Sequence, residues 1–259
     1  MSAQPSVDDM IALCAKAGEA AREHKNAVGA HLGEAFPVTQ ADRAANDVLE
    51  AGLSHFGFPV VSEENSESIP EHGYAFVIDP LDGTSDFVAG TRDWCVMAAF
   101  VKDKAALQGV VYAPDRGEWW YATQGAGAWY GNGGPARRIS VSDVSNPNAA
   151  RMVVSVSHPS AAAEAVRTAF GAQPIPVGSI GIKLGFIAMG EAESYWTDAP
   201  LGIWDVCAPS LILQEAGGLA TDIRGEPLLL SDPSRRVQKG LAASNGHLHE
   251  ALIRAALSS

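Results

Sequence analysis

Apolar side chains near the start of the chain recur every three or four residues, which is the spacing of one face of an α-helix. This pattern predicts a first helix that begins after Ser6, a residue type that caps helices, and ends near Lys25. The apolar positions between residues 45 and 53 predict a second helix. Thr39 and Asp42 precede that helix at capping-box spacing, so Asp42 is expected to be structural unless a site gathers around it.

Two short runs of β-branched and aromatic residues follow, and each is predicted to be a strand that ends in acidic residues. Residues 58–62 lead into Glu63, and residues 74–78 lead into Asp79 and then Asp82. If both strand ends meet at one edge of a sheet, these three carboxylates converge. Adjacent acids are more often solvated at the edge of a loop, so that alternative stays open.

The acidic turn at residues 79–85 combines oxygen ligands with small residues. We expect Pro80 to end the preceding strand, because proline cannot donate to the hydrogen-bond ladder of a sheet. The two aspartates and the carbonyl of Leu81 suit a hard cation, and the amides of the last three residues can face anionic oxygens. Those three residues are Gly83, Thr84 and Ser85. A turn that merely caps a helix explains the same residues equally well.

The rest of the chain alternates between predicted strands and helices. An antiparallel meander is predicted from four runs, at residues 94–101, 107–112, 118–123 and 139–141. The second half reads as strands at 152–156, 175–177 and 193–196 with helices at 161–170 and 180–189. This alternation predicts a mixed or parallel sheet in an α/β protein, with lobes at 1–140 and 141–259. Asp205 opens a further apolar helix, where it can stabilise the helix dipole without any chemistry.

Composition narrows the classes of partner. The chain of 259 residues is 47% hydrophobic and carries a formal net charge of −12. Polymeric nucleic acid and anionic membranes both attract cationic surfaces, so this charge argues against both as partners. Three widely spaced cysteines indicate neither a disulfide framework nor a zinc site, and no leader or membrane-spanning pattern is evident, so we expect a cytoplasmic protein.

Four segments occur in a specific order along the chain. They are residues 37–42, Ser62-Glu63-Glu64, the acidic turn, and Trp204-Asp205 followed by residues 215–218. Together they resemble the inositol monophosphatase superfamily of metal-dependent, often lithium-sensitive phosphatases. The resemblance implies a layered αβαβα sandwich of the α/β (α+β) class, of the inositol monophosphatase or sugar phosphatase type.

The resemblance also implies a role for each candidate residue. Two Mg²⁺ ions would be held by Glu63, Asp79, the Leu81 carbonyl, Asp82 and Asp205. Asp42 would reach a third, weaker ion or its water. Thr84 would position the attacking water together with Glu63 and Asp42, and the amides of Gly83, Thr84 and Ser85 would hold the phosphate. The residues themselves agree with Mg²⁺, since the histidines show no zinc-like pairing and no Ser-His or Cys-His motif supplies a nucleophile.

The small phosphorylated substrate is less narrowly indicated. Local motifs lean to the 3'(2'),5'-bisphosphate nucleotidases, whereas residues 85–90 resemble inositol-1-monophosphatases, and histidinol-phosphate phosphatases are a further alternative. Asp198 would contact substrate hydroxyls, and Lys183 would either meet a second phosphate or extend its amine from a helix into solvent. Arg92 is a weaker candidate for the same task. A homodimer is open because family members are often dimers. A catalytically silent metal- or phosphometabolite-binding protein is the alternative from a different class, and the retained Thr84 argues against it.

Overall fold

The protein is described by a computed structural model over residues 4–25, 40–65, 67–228, 230, 236–237 and 240–259. These residues contain helices α1 (Val7–Glu23), α2 (Gln40–Ser54), α3 (Thr84–Val88), α4 (Ala161–Phe170), α5 (Ile180–Ala188), α6 (Ile203–Glu215) and α7 (His249–Ser258). Among them, no helix has the length and apolar character needed to cross a membrane.

The first sheet has seven strands that lie side by side in chain order. They are β1 (Val60–Ser62), β2 (Tyr74–Asp82), β3 (Cys95–Lys102), β4 (Ala105–Ala113), β5 (Glu118–Thr123), β6 (Gly127–Gly131) and β7 (Arg137–Ile139). β1 and β2 are parallel, and every later neighbour pair is antiparallel. The predicted meander is therefore confirmed, and the parallel pair at its start sends two strand ends to the same edge.

The second sheet is mixed, as predicted. It contains β8 (Arg151–Ser155), β9 (Gln173–Val177), β10 (Ser194–Thr197), β12 (Leu219–Thr221) and β14 (Leu241–Ser244), in the order β12-β14-β10-β8-β9. β11 (Leu201–Gly202) and β13 (Arg236–Val237) form a separate antiparallel pair. β8, β9 and β10 run parallel, so the loops after them leave from one edge of the sheet.

Alternating side chains join the two sheets and their helices into five layers. In β2, Phe76 packs toward α1 and α2, whereas Val77 belongs to the cluster that contains α5 and α6. In β10, Tyr195 faces that same central cluster, and Trp196 packs with α4 and α7 on the far side. Because successive strand residues point to opposite faces, each sheet is buried on both sides. The order of layers is αβαβα, which confirms the expected fold class.

Several sequence-based expectations about local structure need correction. β2 does not end at Ile78: it continues to Asp82, and Pro80 lies where the register with β3 is interrupted. β6 was not predicted, because its terminal glycines resemble turn residues. Gly131 is instead required by packing, since a Cβ there would lie 2.3 Å from the ring of Trp119. β7 ends at Ile139 rather than starting there.

The first helix begins as predicted, with reciprocal hydrogen bonds between Ser6 and Asp9, and ends at Glu23 rather than near Lys25. The expected cap at Thr39 lies outside the described residues.

A buried carboxylate joins three segments of the second half. Glu193, whose side chain is fully buried, accepts hydrogen bonds from the Arg151 amide at 2.6 Å, the Arg151 Nη2 at 2.8 Å and the Ser142 hydroxyl at 2.9 Å. These bonds connect the entry to β10 with the start of β8 and the linker that precedes it. A buried carboxylate requires such donors, because desolvation otherwise costs more than the packing returns.

Glu193→Ala is expected to lower the free energy of unfolding by about 1–3 kcal/mol, because it leaves the part-buried amide and guanidinium of Arg151 and the hydroxyl of Ser142 without their acceptor. Urea unfolding with an unchanged slope measures this loss. Glu191→Ala, at an exposed position two residues earlier, serves as the control and should stay within about 0.5 kcal/mol of the wild type. A loss below about 1 kcal/mol for Glu193→Ala would show that the buried network contributes little.

Candidate metal centre

The parallel pairing of β1 and β2 explains why acidic residues from two strands meet. Ser62 lies beside Ile78 in the register, so the next residues along the two strands, Glu63 and Asp79, leave at the same edge. Glu63 is exposed, whereas Asp79 is 1% exposed. The predicted convergence at this edge is therefore a consequence of strand direction and register.

Three aspartates form the centre of the cluster. One carboxylate oxygen from each of Asp79, Asp82 and Asp205 lies within 4.8 Å of the others. Asp205 reaches them from the first turn of α6, where its carboxylate also accepts a hydrogen bond from the Gly202 amide at 2.5 Å. Asp205 therefore lies in the first helical turn, where an aspartate stabilises the helix dipole as expected, and the same side chain also belongs to the cluster.

The three carboxylates resist ionisation as a group. Burial raises the pKa of Asp79 well above its usual range, and the neighbouring charges of Glu63, Asp82 and Asp205 raise it further. Burial likewise raises the pKa of Asp205 well above that range, with Asp82 and Glu63 adding to the effect. Burial also raises the pKa of Asp82, although hydrogen-bond donors and the charge of Lys183 oppose the shift. Mutual repulsion of this kind is relieved by a proton or by a bound cation.

A threonine hydroxyl links the cluster to α2. The Oγ1 of Thr84 lies 3.2 Å from an oxygen of Asp42 and 3.3 Å from the carbonyl of Leu81. Asp42 is only 4% exposed and lies in the first turn of α2. The structure therefore places Asp42 beside the acidic turn. A purely structural role for Asp42 was expected only if no site gathered around it, and this contact brings it to one.

The small residues of the acidic turn open a short helix. Gly83 precedes α3 with a φ of 92°, a conformation that favours glycine, and a Cβ there would lie 3.0 Å from the Asp93 carbonyl. Thr84 and Ser85 are the first residues of α3. The first amides of a helix have no acceptor within the helix, so they are available to an anion.

The surroundings of Asp82 were not predicted from the sequence. Its Oδ2 accepts a hydrogen bond from the Gly181 amide of α5 at 2.8 Å and lies 3.6 Å from the Cys95 thiol. Ser179 caps α5 and also contacts that thiol. The only sequence signal was the serine before an apolar helix, and nothing in the pattern linked that helix to residues almost a hundred positions earlier.

Lys183 is buried in the wall of the site. It is 3% exposed, and its Nζ lies 5.0 Å from the centre of the Tyr195 ring. Burial lowers the pKa of this amine, and the nearby carboxylates, among them Asp82 and Asp205, oppose the shift. The expectation that Lys183 extends into solvent is therefore wrong.

Asp198 and Arg92 lie at the surface. Asp198 follows β10 and accepts a hydrogen bond from the Ser160 hydroxyl at 3.2 Å. Burial raises the pKa of Tyr195, and the charges of Asp82, Asp205 and Asp198 add to that rise. The Nε of Arg92 is committed to the carbonyl of Asp115 at 2.7 Å.

The donor set fits a hard divalent cation. It consists of carboxylates and a backbone carbonyl, which are the oxygen ligands that Mg²⁺, Mn²⁺ and Ca²⁺ prefer over the nitrogen and sulfur ligands typical of zinc. The three cysteines, Cys14, Cys95 and Cys207, are free and buried thiols. A cation here would offset the repulsion that raises the aspartate pKa values.

Comparison with known proteins agrees with this geometry. The family model described as the inositol monophosphatase family matches residues 4–259. A 3'(2'),5'-bisphosphate nucleotidase CysQ from Aggregatibacter actinomycetemcomitans is 33% identical over 235 residues, which cover 86% of each chain. A histidinol-phosphatase from Mycobacterium tuberculosis is 30% identical over 261 residues, covering 96% of this chain and 97% of the relative.

Solved structures show the same fold. The extragenic suppressor protein suhB from Bartonella henselae superposes with a TM-score of 0.82 and 28% identity, covering 96% of this chain and 97% of that one. These relatives include phosphatases of small phosphorylated molecules, and the family is metal-dependent. With its clustered carboxylates, its αβαβα layers and a family match over almost its whole length, the chain belongs to the inositol monophosphatase family of phosphatases.

Proposed function

We propose that this phosphatase uses Mg²⁺ to hydrolyse a 3'(2'),5'-bisphosphate nucleotide. The observation that carries the proposal is the set of three aspartate oxygens within 4.8 Å of one another, beside the hydroxyl of Thr84. Similarity to the CysQ nucleotidase favours the nucleotide as substrate. Inositol 1-phosphate is the second candidate and histidinol phosphate the third, since the family name and another relative support them.

The chain offers ligands for two Mg²⁺ ions, with a third, weaker ion near Asp42. The proposed ligands are Glu63, Asp79, the Leu81 carbonyl, Asp82 and Asp205. The Leu81 amide donates a hydrogen bond to Asp79 Oδ1 at 3.0 Å. This bond restrains two of the proposed ligand residues, Asp79 and Leu81, relative to each other. When bound, Mg²⁺ would neutralise the phosphate oxygens and lower the pKa of a coordinated water.

Thr84 is proposed to orient the attacking water. Its hydroxyl contacts Asp42, so the hydroxyl proton has an acceptor and the oxygen lone pairs remain available to a water proton. Glu63 and Asp42 are proposed to accept the proton that this water loses. The amides of Gly83, Thr84 and Ser85 are proposed to hold the phosphate at the start of α3.

The leaving group is proposed to lie toward Asp198. A carboxylate held by Ser160 can accept hydrogen bonds from ribose or polyol hydroxyls. The sequence offers Lys183 as a contact for a second phosphate. Because its amine is buried against Tyr195, we propose that Lys183 does not touch the substrate and that its positive charge attracts the phosphate by making the electrostatic potential of the site more positive.

Metal binding should depend on pH in a direction set by the raised pKa values. The folded metal-free protein holds protons on these aspartates at pH values where the unfolded chain, with a pKa near 3.8, has released them. The stability of the metal-free protein therefore falls as pH rises above about 3.8 through the raised pKa values. Mg²⁺ replaces those protons, so we expect millimolar Mg²⁺ to raise the Tm more at pH 8 than at pH 5.

Differential scanning fluorimetry with and without Mg²⁺ measures this difference. Asp82→Asn removes one of the repelling charges and should leave the Tm gain at both pH values small. An equal Tm gain at pH 5 and pH 8 would contradict the assignment of the metal to this cluster.

Substrate choice is tested by comparing kcat/KM for four phosphate esters: adenosine 3',5'-bisphosphate, inositol 1-phosphate, histidinol phosphate and fructose 1,6-bisphosphate. We expect Mg²⁺-dependent phosphate release, inhibition by Li⁺, and a preference of at least about tenfold for the nucleotide, or about 1.4 kcal/mol. The same reactions with excess chelator are the control. A tenfold preference for inositol 1-phosphate would replace the nucleotide as the proposed substrate.

A further inference from the structure

The carboxylate of Asp82 contacts an amide of α5 and a thiol of β3. Its Oδ2 faces the Gly181 amide of α5 at 2.8 Å and the Cys95 thiol of β3 at 3.6 Å. Cys95 is the residue opposite Asp82 in the pairing of β2 with β3. Both donors therefore approach the same oxygen, and both belong to well-packed elements rather than to loops.

The thiol occupies a closed gap between the sheet and the helix. Cys95 is fully buried, and its Sγ lies 3.3 Å from the Ser179 hydroxyl, whose oxygen also accepts the Ile182 amide at 3.2 Å. A Cβ on Gly181 would lie 2.6 Å from this sulfur. The absence of a side chain at Gly181 is what lets the thiol and the amide reach Asp82 together.

We propose that Cys95 is a positioning residue for Asp82: its thiol donates to Oδ2 and, with the Gly181 amide, directs the other carboxylate oxygen toward the metal centre. A cysteine thiol is an S–H donor at neutral pH, and a donor to a carboxylate restrains its rotation. Groups that fix a ligand in this way raise metal affinity because less freedom is lost on binding. Cys95 itself contacts neither the metal nor the substrate.

The inference rests on the proposed binding of Mg²⁺ at the aspartate cluster, and it is separable from catalysis. It predicts an effect on the affinity of the metal-free protein for Mg²⁺ in the absence of substrate. A role for Cys95 in packing alone predicts a different result, because a buried apolar side chain would then serve as well as a donor.

The decisive pair of variants is Cys95→Val and Cys95→Thr, whose side chains have nearly the same shape and differ in the hydroxyl donor. Calorimetric titration of the metal-free variants with Mg²⁺ should give a Kd about fivefold higher for Cys95→Val than for Cys95→Thr, as expected for one lost hydrogen bond of about 1 kcal/mol. The Tm of metal-free Cys95→Val should equal or exceed that of Cys95→Thr, because burying valine costs less than burying threonine.

Cys14→Val and Cys14→Thr are the matched controls, since Cys14 is a fully buried thiol on α1. These two variants should bind Mg²⁺ equally. If neither Cys95 variant folds, Cys95→Ala and Cys95→Ser supply the same comparison in a smaller side chain. Equal Mg²⁺ affinity of the donor and non-donor variants at position 95 would overturn the inference. Failure of the wild type to bind Mg²⁺ would instead overturn the proposed function on which the inference rests.

Discussion

Repulsion between buried carboxylates is the constraint on which the rest of the site depends. Asp79 and Asp82 are almost fully buried, and an oxygen of Asp205 lies within 4.8 Å of theirs. Two unit charges at that distance repel by on the order of 3 kcal/mol at an effective dielectric constant near 20. Protons or cations can balance such a group of charges, so the cluster could hold a cation before any substrate arrives.

The carboxylates come from the ends of strands and the start of a helix, and neighbouring groups at those ends partly offset their repulsion. Parallel pairing of β1 and β2 delivers Glu63 and Asp79 to one edge, and Asp205 enters from the first turn of α6. Positive helix ends favour carboxylates there. α5 adds the Gly181 amide, and Lys183 adds a buried positive charge close to the aspartates. The start of α3 is the proposed place at which a phosphate ester would meet the cations.

Sequence patterns located most elements and the aspartates that form the cluster, because both depend on local order along the chain. α4 was predicted to the residue, and the acidic turn was predicted as a site. The patterns could not supply contacts made across long separations. Gly181 and Cys95 around Asp82, the burial of Lys183 and the glycine-bounded strand β6 all depend on which distant segment packs nearby. The individual site roles, the boundary at residue 140, the cytoplasmic location and the homodimer stay predictions.

The most direct test of the account is phosphate release by Asp82→Asn, a substitution that keeps the size of the side chain and lets its oxygen still face the Gly181 amide. With saturating Mg²⁺ and the preferred ester, we expect kcat/KM to fall by at least about 10³-fold, or about 4 kcal/mol, while the fold is retained. Asp47→Asn, the same change at an exposed position on α2, should leave kcat/KM unchanged. Activity of Asp82→Asn within tenfold of the wild type would contradict the placement of the reaction at this cluster.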